Sequence, residues 1–334
     1  MFKYRIAIIV TWFGKLPDYF DAWLLSAEVN KDIDFLIFSD QKIESNSDNI
    51  VSTQLSFNDM VQLCKKKMGR KVIFENSYKF CDSRAFFGRI FEEYLVHYDF
   101  WAYCDIDLIF GNLRTFLTDE LLDTFDRVFQ YGHLCLFRNN RIMNYLYDLP
   151  GGIYSMKDIF EGKAKTTPEE YWGLNRICEK NNISWYTEVV FADFSPIYPQ
   201  RLELGHKLEN FDEQIFIWKD GHAYQIYRCG DTIKKKEFIY MHWQKKKPII
   251  EGDLKNAKMI ILSPHKLYCI NEEIELNNIN FEKYNPAMSK QEKKQAKKEY
   301  RNRKLKEFWN ASLPTKRMWL RQKRYTLFSK RNYE

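Results

Sequence analysis

Asp105 and Asp107 close an apolar run in the stretch WAYCDIDLIFG, with one isoleucine between them. Side chains at i and i+2 point to the same side of an extended chain, so both carboxylates can address one cation. Two acids this close repel each other unless a metal ion, a basic side chain or water lies between them. Hard oxygen ligands suit Mg2+ or Mn2+. A divalent ion held by one or two carboxylates, with its other positions left to phosphates and water, is the usual arrangement in nucleotide chemistry. A solvated strand end accounts for the same two acids without chemistry, because an isolated Asp-x-Asp is a weak motif. Phosphatases of the haloacid-dehalogenase type carry their Asp-x-Asp on the first strand with Thr or Val soon after, and neither condition holds here.

Three other groups can join the acid pair. His242 is followed by Gln244, Lys245, Lys246 and Lys247. A neutral imidazole can complete a ligand set begun by two carboxylates, and the lysines can neutralise a diphosphate. In YKFCDSRAFFG (78–88), Lys79, Asp82 and Arg84 fall at an expected helix start, where backbone N–H groups favour anions. Asp82 also suits an N-cap there. In TTPEEYWGLN (166–175), Glu169 and Glu170 are candidate general bases. The same residues read as a helix start, with Thr167 at the N-cap, Pro168 at N1 and Glu170 closing a capping box. Asp193, Asp212 and Glu213 have weaker context. The sequence holds no Ser/His/Asp arrangement, Gly-rich phosphate loop or nucleic-acid motif.

Positioning these groups requires a scaffold, and the apolar pattern predicts one. RIAIIVTWF (5–13) and DFLIFSD (34–40) are continuous apolar runs, as in strands buried on both faces. Helices are expected over 18–29, 58–68 and 80–98, with a strand over 51–57 and another at FWAYC. This βαβα alternation predicts an α/β fold of Rossmann-like type, with a mainly parallel central sheet flanked by helices. Ligands in such sheets bind beyond the carboxyl ends of the strands. Trp12-Phe13-Gly14, Asp40 and Asp105–Asp107 all lie at such ends, which predicts one shared cleft. Farther on, QIFIWKDGHAYQIY (214–227) reads as a hairpin turning at Asp220-Gly221, and 237–249 as a strand running into His242.

Composition sets the wider frame. Of 334 residues, 45% are hydrophobic and 17% aromatic, which marks a globular chain with a sizeable core. The seven cysteines are scattered and form no Cys-x-x-Cys pair, so they read as buried free thiols in a cytoplasmic protein. The first apolar run is too short to span a membrane and lacks a signal-peptide cleavage site. Residues 283–334 hold 17 Lys and Arg against 4 Asp and Glu, while the remainder carries a net charge of −6. This predicts a body over 1–282 and a basic helical tail over 283–334. Trp309, Trp319, Tyr325 and Phe328 interleave with the bases, a pattern suited to an anionic membrane surface. A solvated helix pair packed on the body is the alternative.

The order Trp12-Phe13-Gly14, YKFCDSRAFFG, YDFWAYCDIDLIFGNL (98–113), GHLCLFRN (132–139) and EFIYMHWQKKKP (237–248) resembles a bacterial GT-A-type glycosyltransferase-like family found in capsule and O-antigen gene clusters. The resemblance covers roughly 4–265 and is most specific over 78–113. It implies a GT-A-like fold and transfer of a sugar from a nucleotide-sugar donor, with UDP as the expected nucleotide. The acceptor would be a saccharide or a polyprenyl-linked saccharide. It also implies that Asp105, Asp107 and His242 hold Mn2+ or Mg2+. Asp105, Lys245 and Lys247 would meet the diphosphate. Trp12, Phe13, Gly14 and Asp40 would border the uridine, while the helix-start reading above has Lys79, Asp82 and Arg84 contact nucleotide or donor sugar. Related sequences carry a Phe-Asp-Glu-like acidic pair before the Gly-Leu-Asn segment, where this chain has Pro168-Glu169-Glu170. An inverting enzyme would need one carboxylate as base, Glu170 before Glu169. Two other classes compete: another metal-dependent phosphoryl or nucleotidyl transferase, and a non-catalytic basic-tail adaptor or nucleic-acid binder. The absence of a nucleic-acid module counts against the last.

Overall fold

In the computed structural model, residues 2–331 are described except 199, 245, 277 and 278; for 204 and 327–331 the backbone alone is described. Phe328 therefore lies outside the described side chains. The central sheet has seven strands, numbered here in chain order: β1 (Ile6–Trp12), β2 (Asp34–Ser39), β3 (Ile50–Gln54), β4 (Phe100–Cys104), then, beyond β5 (Leu108–Phe110), β6 (Arg127–Tyr131), β7 (Leu134–Arg138) and β8 (Trp185–Tyr186). Their spatial order is β3-β2-β1-β4-β7-β6-β8. Pairing is parallel from β3 through β4, antiparallel on both sides of β7, and parallel between β6 and β8, so β7 alone runs against the rest.

The apolar runs are continuous because alternate residues feed two different cores. Ala7, Ile9, Leu36, Phe38, Trp101 and Tyr103 face one core. Ile6, Ile8, Val10, Phe35, Ile37 and Phe100 face the other. Helix α1 (Phe20–Glu28) covers the second face through Phe20, Trp23 and Ala27. Helix α2 (Phe57–Met68) covers the first through Met60, Cys64 and Met68. A capping box built by Ser56 and Asp59 starts α2.

The second half adds a six-stranded, mostly antiparallel sheet. It is built from β10 (Gln214–Lys219), β11 (His222–Cys229), β12 (Thr232–Phe238), β14 (Ile249–Glu251), β15 (Met259–Leu262) and β16 (Lys266–Ile270). The β10–β11 hairpin turns at Asp220-Gly221, both at positive φ, as the sequence predicts. A small third sheet joins the halves: β5, β13 (Tyr240–His242) and β9 (Ala192–Asp193), in the order β5-β13-β9.

Three expectations need correction. The helix over 80–98 is a chain of short pieces: an α-turn at Ser77–Phe80, a 3-10 stretch at Cys81–Phe86, an α-turn at Phe87–Ile90 and a 3-10 turn at Glu92–Tyr94. Nearly every side chain from 79 to 91 is buried, polar ones included, and a single α-helix cannot aim them all inward. The strand over 237–249 divides at Ile239, where the chain leaves β12 for β13 in another sheet. The helix start at Thr167–Glu170 does not form. Thr167 has φ +49°, whereas an N-cap sits in the extended region.

The tail is helical, in two segments, Lys290–Asn310 and Leu313–Arg331. The second docks on the body. Met318 enters the first core, Arg321 pairs with Asp158 at 3.0 Å and Gln322 bonds the Tyr154 hydroxyl at 2.6 Å. The first has no buried residue. Among the described residues no helix is long and apolar enough to cross a membrane. All seven cysteines are free, and five are buried.

Candidate active site

The small third sheet decides which side chains meet. In its register His242 lies opposite Leu108 on one side and Asp193 on the other. Asp107, one residue before β5, also holds Trp243 N through its backbone carbonyl at 3.2 Å. Asp105 leaves β4 with its N–H bonded to His133 O at 2.9 Å. The result is a cluster beyond the carboxyl end of β4. One oxygen each from Asp105 and Asp107 and one nitrogen of His242 lie within 4.8 Å of one another. Ligands about 2.1 Å from one divalent ion sit about 3.0 to 4.2 Å apart, so little movement separates these three from coordination.

The histidine is aimed. Its Nδ1 meets Asp193 Oδ1 at 2.8 Å, which leaves Nε2 toward Asp107 at 3.4 Å. Asp193 is buried and also accepts from Gln244 Nε2 at 2.8 Å and meets His206 Nε2 at 2.9 Å. A carboxylate behind a metal-facing imidazole fixes its orientation and raises its basicity. Burial opposes charge on His242, yet Asp107 and Asp193 together raise its pKa to about 10. The protonated ring thus serves as counter-cation for the acids, and a metal must displace that proton. His133 stacks beside His242, ring centroids 4.6 Å apart, with Nδ1 on the Tyr240 hydroxyl at 2.7 Å. Burial and the His242 charge push its pKa down to about 3, so it is neutral. Its Nε2 is buried without a partner among the described residues, and with Asp193 and His242 it forms a second, fully buried set able to hold a metal. Both oxygens of Asp193 are already engaged, so the set of Asp105, Asp107 and His242, whose two acids are only half-buried, suits an ion better.

Asn at 193 would keep the shape and lose the charge behind His242. If the cluster holds a divalent ion, Asp193→Asn is expected to weaken its binding about 10- to 100-fold, read with Mn2+ as the probe by titration with electron paramagnetic resonance. An unchanged affinity in the folded variant would remove the orienting role.

The acidic pair sits on the other flank. Tyr171–Asn175 forms one π-helical turn, a form that recurs at functional sites. The turn closes because Gly173 has no side chain: a Cβ there would lie 1.8 Å from the Pro168 carbonyl oxygen. Glu170 accepts from the backbone N–H of Gly132, and a Cβ on Gly132 would sit 2.5 Å from Glu170 Oε1. Arg84 links this corner to the acids, bonding Gly132 O at 3.0 Å and Asp105 Oδ1 at 2.5 Å. Burial, partly offset by Lys165, raises the Glu170 pKa, and Asp105 raises it further. Glu169 is buried, and burial, Glu170 and Asp82 push its carboxyl above neutrality.

Lys79 and Asp82 are both buried and bonded to each other at 2.6 Å, so their charges are spent on each other. They pin the segment that carries the glutamates: Lys79 Nζ bonds Ala164 O at 2.5 Å, while Asp82 Oδ2 accepts from Thr166 N and Oγ1, both at 2.7 Å. Buried Arg127 holds the far side through Glu169 O at 3.3 Å and Asn175 Oδ1 at 2.8 Å.

At the first two strand exits, Gly14 N donates to Asp40 Oδ1 at 2.9 Å, so β1 and β2 share one rim. Gly14 has φ +102°, which favours glycine there. Trp12 is half-buried, its Nε1 on Lys15 O. Phe13 turns inward, against Phe57 and Phe80 at 5.3 and 6.3 Å, and so belongs to the core. Lys247 is exposed, and Lys245 lies outside the described residues. Asp212 and Glu213 stand on the second sheet's side, where Glu213 pairs with Arg228 at 2.5 Å.

Sequence reasoning passed over His133, His206, Lys165 and Tyr19. Tyr19 is buried, and its hydroxyl pKa is raised by burial and then by Asp107 and Asp105. Lys165 faces Glu169 and Glu170 and stacks on Tyr78 at 3.9 Å.

Fold and site together define a mixed α/β protein with an acid–histidine cluster beyond the carboxyl end of a mainly parallel sheet. The chain belongs to the DUF6625 family, a family of unknown function, whose family model matches residues 8–271. No curated protein matches it in sequence. Among solved structures it is similar to the galactosyltransferase LgtC in complex with donor and acceptor sugar analogs, at 11% identity and TM-score 0.33, over 57% of this chain and 76% of that one. It is also similar to the glycosyltransferase GlyE of Streptococcus pneumoniae TIGR4, at 13% and 0.29, over 56% and 46%. A third is mouse xyloside xylosyltransferase 1, at 8% and 0.30, over 58% and 88%. The likeness is partial in each case.

Proposed function

We propose that this protein is a divalent-metal-dependent glycosyltransferase of the GT-A type. The observation that carries this reading is the meeting of Asp105, Asp107 and His242 with Asp193 behind the imidazole. The donor would be a nucleotide sugar, with UDP first among the nucleotides. The acceptor would be a saccharide or a lipid-linked saccharide, and surface polysaccharide synthesis is the setting that the sequence resemblance implies.

Asp105, Asp107 and His242 would hold Mn2+ or Mg2+. The bound ion would act as a Lewis acid on the departing diphosphate. Arg84 and Lys165 would balance phosphate charge from the glutamate side. The rim of Trp12, Gly14 and Asp40 would border the nucleoside. In the transfer an acceptor hydroxyl oxygen bonds to C1 of the sugar, the bond from C1 to the diphosphate oxygen breaks, and the hydroxyl proton goes to a carboxylate. Glu170 suits that role by its place between Gly132 and the Arg84–Asp105 pair.

A panel of nucleotide sugars tested by thermal shift with Mn2+ and with chelator checks this reading. A UDP-sugar is expected to raise the unfolding midpoint with Mn2+ and to lose that effect with chelator. Equal stabilisation under both conditions would sink the metal role. Release of pyrophosphate instead of nucleoside diphosphate would favour nucleotidyl transfer.

The tail would bring this site to an anionic leaflet. Its first helix has no buried residue, and Leu305, Phe308, Trp309 and Leu313 stand exposed at the corner with the second. Each base near such a surface contributes on the order of 1 kcal/mol. Sedimentation with phosphatidylserine vesicles is expected for the full chain and not after removal of 283–334. Equal sedimentation of both would refute it.

A further inference from the structure

Lys246, Trp243 and Gln200 line one small cavity, and the buried Lys246 Nζ, Trp243 Nε1 and Gln200 Nε2 have no acceptor among the described residues. The cavity lies between the turn after β13 and the β15–β16 connection, with Phe194 and Ser263 also in its wall. Trp243 and Gln200 are 3% and 2% exposed, so bulk water does not satisfy them. The free volume is about 10 Å³. That is room for the centre of one small body and excludes a polyatomic anion.

The chemistry of the wall selects the occupant. All three groups donate, and one carries a full charge. A water molecule accepts at most two of these bonds and needs acceptors for its own hydrogens. A monatomic anion accepts all three and neutralises the ammonium. Nothing else described at the cavity does so: the Phe194 ring sits 5.7 Å from Nζ, and Asp193 acts on Lys246 only at a distance. Burial accordingly lowers the lysine pKa to about 8, with Asp193 opposing, the mark of an ammonium short of a counter-charge.

We propose that this cavity is a halide site, occupied by chloride, held by Lys246, Trp243 and Gln200. The anion ties the turn that follows His242 to the second sheet. Gln244 in that turn has φ +48°, and its side chain bonds Asp193, so the bound halide also steadies the carboxylate behind His242. The proposal does not depend on what the acid cluster transfers.

Thermal unfolding with chloride replacing gluconate at constant ionic strength tests it. The midpoint is expected to rise by roughly 4 °C when chloride exceeds its Kd a hundredfold. Crystals soaked in bromide should show an anomalous peak in the cavity. Lys246→Met keeps an apolar stem against Phe194 and should lose both signals. Trp243→Phe removes one donor and should weaken the halide about fivefold or more, which keeps the test alive if Lys246→Met fails to fold. A flat midpoint with no bromide peak in the wild-type protein would mean a cavity filled by water and would overturn the proposal. A halide response undiminished in both variants would place the anion elsewhere and overturn it equally.

Discussion

Asp107→Ala is expected to cut sugar transfer by about a thousandfold or more and to abolish the Mn2+ dependence of donor binding. The magnitude follows from the job assigned to it: a metal's stabilisation of a leaving diphosphate is worth several kcal/mol, and each 1.36 kcal/mol is tenfold in rate. Asp107 is the sharper choice of the two acids. Its carboxylate faces His242 Nε2 at 3.4 Å, whereas Asp105 also serves Arg84, so loss of Asp105 strands a guanidinium as well. The fold should survive, because Asp193 still holds His242 Nδ1 and the Asp107 backbone carbonyl, which bonds Trp243 N, is untouched by the substitution. Turnover with a UDP-sugar and a Mn2+ titration check both halves. A variant that keeps turnover within tenfold and still binds donor more tightly with Mn2+ would exclude Asp107 from the metal centre.

Much of this geometry was readable because it depends on local pattern. Continuous apolar runs at 5–13 and 34–40 announce strands covered on both faces, and their exits place Gly14 and Asp40 on one rim, now joined by a hydrogen bond. The Asp220-Gly221 turn was equally local. Failure came where long-range partners set the conformation. The 80–98 stretch has a helical apolar stripe, but buried Lys79, Asp82 and Ser83 need partners around its whole circumference, and the helix breaks to supply them. Asp193 stands on a strand of two residues, too short to show a period, and its importance arises from pairing with β13, 49 residues away. Thr-Pro-Glu-Glu reads locally as a helix start. Arg127 and the Lys79–Asp82 pair instead draw it into a turn that buries Glu169 and sets Glu170 against Gly132.

That redirected turn gives the second large prediction. A capping box would have explained Glu170 without chemistry; the structure has no helix there to cap. Glu170→Gln is expected to lower kcat by 10²- to 10⁴-fold, the usual worth of a general base, with donor affinity nearly unchanged. The amide oxygen can still accept from Gly132 N–H, so the side chain keeps its place and loses only its basicity. The pH profile adds a sign. The base works deprotonated, and burial, with Lys165 opposing and Asp105 adding to it, has raised its pKa, so activity should fall as pH drops through a value above the ordinary glutamate range. The Gln variant should lack that limb. Glu169→Gln is the control. Glu169 is the more buried of the two and its carboxyl is pushed up by burial, Glu170 and Asp82, so a neutral amide resembles the form that burial favours, and kcat should change by less than about tenfold. If Glu169→Gln proves the crippling change and Glu170→Gln the mild one, the two roles are reversed. If neither moves kcat, the proton leaves by another route, as in a retaining transfer that needs no protein base.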